Sequence, residues 1–321
     1  MRIVSLFSGA GGLDLGMILS GHSIIWAIDN DEDAVSTYKR NIGNHIICQD
    51  IEEVQINDIP DCDVVVGGFP CQGFSIANTR RSVEDKRNIL YTYFHSIVVG
   101  KRPKYFLAEN VKGMLSLEKG AIMKQIVKDF STAGYYVKYK LFNLADYGIP
   151  QSRQRVIIVG RRIDINDYFD FIFPCPTHAK QISFEKKQWI SIKDAIDFLS
   201  SPNLLNVYPN MEYSSYKLNY RNFTGHRETD PKKPSPTILA RGNGKGGVCA
   251  IPHYNGKRRL SIRESATIQT FPLNFEFVGA MNSCYRQIGN AVPVLFAQKL
   301  GEELHRLELL KEIQNENSIA I

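Results

Sequence analysis

The sequence predicts an α/β protein, with a mostly parallel sheet first and a smaller, less regular domain after it. Three observations carry this. Over roughly the first 160 residues, short apolar runs alternate with helically spaced patterns, as successive parallel βα units do. A glycine-rich loop, Ser8–Gly12, joins the first apolar run to the first helical pattern. After Phe173 the character changes, and Pro174, Pro176, Pro202, Pro209, Pro231, Pro234, Pro236 and Pro252 break up a tyrosine- and lysine-rich stretch of weak periodicity.

Taken in order, Ile3–Phe7 reads as the first strand and Ile24–Ile28 as the second, ending at Asp29. His45–Cys48 is a third, closely followed by Asp50, and Asp63–Gly67 a fourth that runs into Gly68-Phe69-Pro70-Cys71. Lys104–Glu109 is the fifth, with Glu109 at its end. The spacing of Ile122, Ile126, Val127 and Phe130 predicts a helix over 118–133. Val137–Phe142 and Arg155–Gly160 complete the strands. Regularity returns at Leu260–Thr267, and Leu295, Leu300, Leu304 and Leu307 predict a last amphipathic helix from Val294 to Leu310. The polar tail Gln314–Ile321 is expected to fray. The resulting division is 1–175 for the first domain, 176–283 for the second, and 284–321 for a segment returning to the first.

A chain of 321 residues can bury one large core and a smaller one. With 43% hydrophobic and 22% charged residues it has the composition of a soluble protein. No apolar run approaches the roughly 18 residues of a membrane span, and no secretory leader pattern opens the chain, so a cytoplasmic protein is expected. The six cysteines, Cys48, Cys62, Cys71, Cys175, Cys249 and Cys284, form no C-x-x-C pair; free thiols and no metal are expected. Residues 177–263 hold 15 Lys/Arg against 6 Asp/Glu, a net of +9 within a total of +6, so the rest of the chain is slightly acidic. A basic segment on such a body fits a polyanionic partner.

Glycines after the first strand let the backbone turn tightly and approach a ligand. The spacing is not that of a dinucleotide fingerprint, because Asp14 stands where its third glycine belongs. Asp29 can accept from ribose hydroxyls and Asp50 from an adenine amino group, both at carboxyl ends of strands, where ligands of open α/β sheets sit. An adenosyl ligand without phosphates fits this set. Cys71, at the same edge, suits a nucleophile, and Glu109 an acid or hydrogen-bond partner. Alternation along Gln151-x-Arg153-x-Arg155 puts both arginines on one face, where they can meet one substrate or Glu109.

In this order the motifs resemble those of the bacterial DNA (cytosine-5-)-methyltransferase family of restriction–modification type, over nearly all the chain outside about 177–258. LFSGAGG, GGFPCQGFS, ENV, QSRQR, RLSIRESATIQTFP and QIGNAVP each resemble a family motif. The resemblance implies a Rossmann-like, S-adenosylmethionine-dependent methyltransferase fold with a target-recognition domain. It implies that Cys71 attacks cytosine C6, that Glu109 engages N3 and the exocyclic amine, that Arg155 holds O2 and that Arg153 supports the site. Phe7, Ser8, Gly9, Ala10, Gly12, Asp29, Asp50, Ile51, Pro70, Leu90 and Asn290 are then the cofactor residues. Asn30 joins them where some members carry tryptophan, so adenine stacking there is expected to be weaker or to be supplied elsewhere, by a residue such as Phe7.

The same resemblance makes 72–90 a mobile loop over flipped duplex DNA, touched by Gln72, Ser75 and Arg87. Thr237, Arg227 and Arg241 are expected at DNA in the recognition domain, and Lys232, Lys233 and Lys245 at phosphates. The protein is expected to act as a monomer and to have a companion restriction endonuclease. Two readings compete: an RNA methyltransferase, since a eukaryotic relative with these motifs modifies tRNA, and a DNA-binding regulator without catalysis. Intact Cys71, Glu109 and Arg155 speak against the second.

Overall fold

The computed structural model describes residues 1–69, 89–165, 170–200, 207–214, 228–240 and 251–319. Its chain begins with β1 (Arg2–Leu6), α1 (Gly12–Leu19), β2 (Ser23–Asp29), α2 (Glu32–Asn41), β3 (Ile46–Cys48) and β4 (Val64–Gly67). It continues through α3 (Ile89–Lys101), β5 (Tyr105–Val111), α4 (Ala121–Thr132), β6 (Tyr135–Asn143), β7 (Gln151–Ser152) and β8 (Gln154–Arg162). Beyond these lie β9 (His178–Ala179), β10 (Lys187–Gln188), α5 (Ile192–Ile196), β11 (Ser235–Pro236), α6 (Ile262–Ile268), α7 (Met281–Asn290) and α8 (Val294–Ile319).

Seven strands form one sheet in the order β3-β2-β1-β4-β5-β8-β6. From β3 to β5 every pairing is parallel, while β8 runs antiparallel to both its neighbours. That reversal matters for the site. The register sets Val111 opposite Arg155, so the start of β8 lies at the carboxyl edge of β5. The glycine loop, Asp29, Asp50, the exit of β4, Glu109 and Arg155 therefore share one edge.

Alternation divides the strand side chains between two cores. Ile3, Val64, Val66, Tyr105 and Leu107 pack with Met17, Tyr38, Phe296, Leu300, Leu304 and Leu307 on one face. Val4, Val65 and Phe106 pack with Phe94, Ile126 and Phe130 on the other. Buried on both faces, the strands read as unbroken apolar runs. A third core joins α5, Ile238, α6, α7 and Val294. On the first face α8 lies against α1 so closely that a Cβ on Gly16 would overlap Ala297.

The structure moves several expected boundaries. Phe7 leaves the first strand with φ 56°. Glu118 and Lys119 take left-handed φ values of 45° and 55°, which delays the helix expected from 118 to Ala121. The fifth strand runs two residues past Glu109, because Asn110 and Val111 still pair with β8. The last helix continues through most of the tail expected to fray, to Ile319; no glycine or proline interrupts it after Gly301, and Glu and Gln are good helix formers. Leu260–Thr267 becomes α6, started by a reciprocal capping box between Ser261 and Glu264. No helix among the described residues is long and apolar enough to cross a membrane.

Candidate active site

The end expected to hold a cofactor is built on the turn after β1. Gly9 has φ 53°, and a Cβ there would meet nothing within 4 Å, so this glycine faces open space. Gly11, at φ 87°, has its space filled by Tyr38 and Ile42, and a Cβ on Gly12 would overlap the Val292 carbonyl. One glycine thus opens the crevice while its neighbours admit close packing beneath it. Ala10 is buried in the third core. The Ser8 hydroxyl donates to Ser5 Oγ at 2.9 Å, and Ser5 donates to Asp14 at 2.6 Å.

Asp14 was legible only as a missing glycine, and the structure gives it a role. It is wholly buried under the loop and also accepts from the Tyr38 hydroxyl at 2.9 Å. Burial pushes its carboxyl up to about 6, against the lowering effect of the two hydroxyls.

Asp29 accepts the Gly9 N–H at 2.7 Å on one oxygen and the Asp31 N–H at 2.9 Å on the other. The carboxylate therefore fixes the loop and still has lone pairs for a ligand. Burial raises its pKa, and the backbone donors partly offset that. Asp50 caps the short turn that begins at buried Ile51, accepting from Glu52 N at 3.1 Å. Its other oxygen receives a long contact of 3.4 Å from Asn30, so the two expected adenosine positions touch. Asn290 is exposed at the end of α7, and the residues after it reach the glycine loop through Val292 and Gly12. Phe7 and Leu90 both pack partly against the second core.

At the chemical end, Glu109 and Arg155 form an ion pair, with Nε 2.6 Å from Oε1 and both side chains nearly buried. Asn110, to which the sequence assigned no role of its own, donates to the Phe69 carbonyl at 2.9 Å. It thereby fixes the chain where it enters Pro70-Cys71. Gly68 lies beside Glu109, whose carboxylate oxygen would be 3.4 Å from a Cβ there.

The expectation that Arg153 and Arg155 share a face is corrected. The ladder breaks between β7 and β8, and Arg153 turns inward. It is 1% exposed and donates to the carbonyls of Ile238 at 2.9 Å, Gly289 at 2.9 Å and Ala291 at 3.1 Å. Burial, with the neighbouring Arg155 charge, pulls its guanidinium down to about 9. Arg153 clamps main chain; Arg155 alone faces the cleft.

That cleft, about 500 Å³, is lined by Lys112, Asn143, Ser152, Gln154 and Arg155 on one side and by Thr237 and Leu239 on the other. Segment 235–239 reaches it because β11 pairs with β7. Thr237 donates its hydroxyl proton to Ser152 O at 2.6 Å, so in this arrangement it can only accept from a ligand. Lys233 pairs with Asp230 at 2.9 Å. Pro70, Cys71, Gln72, Ser75, Arg87, Arg227, Arg241 and Lys245 lie outside the described residues.

The family model described as "C-5 cytosine-specific DNA methylase" matches residues 1–306. The type II methyltransferase M.NgoFVII of Neisseria gonorrhoeae is 39% identical over 91% of this chain and 83% of its own length. M.FnuDI of Fusobacterium nucleatum, also a type II methyltransferase, is 36% identical over 97% of both chains. The crystal structure of the S. pombe Dnmt2 methyltransferase superposes with a TM-score of 0.66 at 22% identity, covering 96% of this chain and 99% of that one, a likeness of fold. With a family model over residues 1–306 and relatives 36–39% identical over most of both chains, this protein belongs to the C-5 cytosine-specific DNA methylase family.

Proposed function

We propose that this protein methylates C5 of a cytosine flipped out of a specific duplex DNA sequence, through a covalent Cys71–C6 intermediate. In this reading it is the modification enzyme of a type II restriction–modification pair, acting in the cytoplasm as a monomer, and it protects host DNA from a companion endonuclease. The observation that carries it is the Glu109–Arg155 pair at the sheet edge where the β4 exit leads to Cys71. Residues 1–175 with 284–321 would form the catalytic body, and 176–283 the target-recognition domain.

The pair suits cytosine. The edge of that base presents O2 and N3 as acceptors and the exocyclic amine as a donor. A guanidinium beside a carboxyl group offers the complement: Arg155 donates to O2, while Glu109 accepts from the amine and, when protonated, donates to N3. Protonation at N3 draws electrons from the ring and makes C6 open to the thiolate. The Cys71 sulfur bonds to C6, density moves to C5, and C5 takes the methyl group. Loss of the C5 proton then breaks the S–C6 bond and frees Cys71. A base inside the stack cannot be reached this way, so it must be extruded.

The residues present fit S-adenosylmethionine. Gly9 faces open space, and Asp29 and Asp50 bring acceptors to the same edge; Phe7, Ser8, Gly12, Ile51, Pro70, Leu90 and Asn290 would complete the pocket. When bound, the cofactor supplies an electrophilic methyl group. No dinucleotide phosphates need be accommodated.

The test is methylation of duplex DNA by the purified protein with S-adenosylmethionine, read by bisulfite sequencing, with tRNA as a parallel substrate. Cytosine modification confined to one duplex sequence is expected, and modification of tRNA alone would overturn the reading. Cys71→Ser should abolish transfer. DNA carrying 5-fluorocytosine should trap a covalent adduct, because fluorine blocks the final elimination, and an adduct at another cysteine would refute the assignment of Cys71.

A further inference from the structure

The motif that contains Gln269 takes no part in the chemistry above, yet Gln269 is fully buried beside an equally buried Gln151. The Ile238 N–H donates to Gln151 Oε1 at 2.9 Å, and Gln151 Nε2 donates to Gln269 Oε1 at 2.8 Å. Gln269 Nε2 in turn donates to the Ile288 carbonyl at 2.6 Å and the Ala291 carbonyl at 3.1 Å. Arg153 runs alongside, from the Ile238 carbonyl to those of Gly289 and Ala291. Both main-chain polar groups of Ile238 are therefore tied to carbonyls on either side of Asn290, the carbonyl directly by Arg153 and the N–H through Gln151 and then Gln269.

The two ends face different ligands. Ile238 lies between Thr237 and Leu239, which line the cleft. The 288–292 turn carries Asn290 and touches the glycine loop through Val292. The polarity of the chain of amides is fixed from outside, since an N–H at one end demands an oxygen and carbonyls at the other demand an NH₂. These buried amides are held at both ends, so a shift of the turn must be followed at Ile238 or break hydrogen bonds in a dry interior.

The geometry points to Gln151 and Gln269, with Arg153, as positioning residues that couple the cofactor crevice to the DNA-recognition segment. This rests on the function proposed above. Binding at either site then raises affinity at the other by the same factor.

The test measures duplex DNA affinity with and without S-adenosylhomocysteine, for the intact protein and for Gln151→Met/Gln269→Met. The intact protein should show a coupling factor of about 5 to 150. In the double variant that factor should fall towards one, while each ligand alone binds within about threefold of the original, a pattern that general destabilisation does not produce. A second measurement needs no variant: amide hydrogen exchange over 235–240 should slow when S-adenosylhomocysteine is added without DNA. Full coupling in the double variant, or exchange over 235–240 indifferent to the ligand, would overturn the inference. Ligand binding without coupling in the intact protein overturns this inference alone. No binding of S-adenosylhomocysteine at all overturns the proposed function with it.

Discussion

Replacing Asp29 tests the cofactor end most directly. Its two oxygens accept from Gly9 N at 2.7 Å and from Asp31 N at 2.9 Å. An asparagine has one acceptor, so Asp29→Asn keeps one of these bonds and points its NH₂ at the other N–H. It also presents a neutral group to the ribose. Loss of a hydrogen bond to a charged group costs about 1.5–3 kcal/mol, which corresponds to a cofactor dissociation constant about ten- to a hundredfold higher. Asp29→Ala should fall in the same range, since the half-buried N–H groups can find water. Titration calorimetry with S-adenosylhomocysteine reads the effect, and DNA affinity without cofactor should barely change. An unaltered cofactor affinity in both variants would refute the role of Asp29 and the placing of the crevice at Gly9.

Two further outcomes follow from the packing. Asp14 is held at about 6 against an ordinary 3.8, so the folded protein binds this proton more tightly than the unfolded chain. Its stabilising effect is complete below about pH 4 and is lost as pH rises to about 6, by up to about 3 kcal/mol. Asp14→Asn should flatten that slope in denaturant unfolding at pH 4 and pH 7, and an identical slope in both proteins would contradict the buried ionisation. Gly289→Ala would drive a methyl group into the backbone of Leu239 and Ala240. A loss of about 1–3 kcal/mol is expected, with weaker DNA binding, and calorimetric unfolding that matches the intact protein would deny the contact.

The parts of this protein that its sequence made legible are those decided locally. Strands buried on both faces announce themselves as apolar runs, and the residues just past their carboxyl ends, Asp29 and Asp50 among them, inherit a place at the edge. Glu109 kept its place even though its strand proved longer, because the reversed direction of β8 brings Arg155 to the same edge. What stayed hidden depends on partners far along the chain. Arg153 reads like Arg155 two residues on, until Ser235–Pro236 pairs with Gln151–Ser152 and breaks the alternation between them. Asp14 looks like a departure from a glycine pattern, because its partner Tyr38 arrives from α2. Gln151 and Gln269 stand in recognisable motifs, but 118 residues separate them and nothing in either motif names the other. The arginine motif thus divides by direction: Arg153 turns in to bind main chain, and Arg155 turns out to line the cleft, where the proposed function has it meet a base. The two arginines look alike as a pattern of letters, and only the path of the chain around them separates the inward side chain from the outward one.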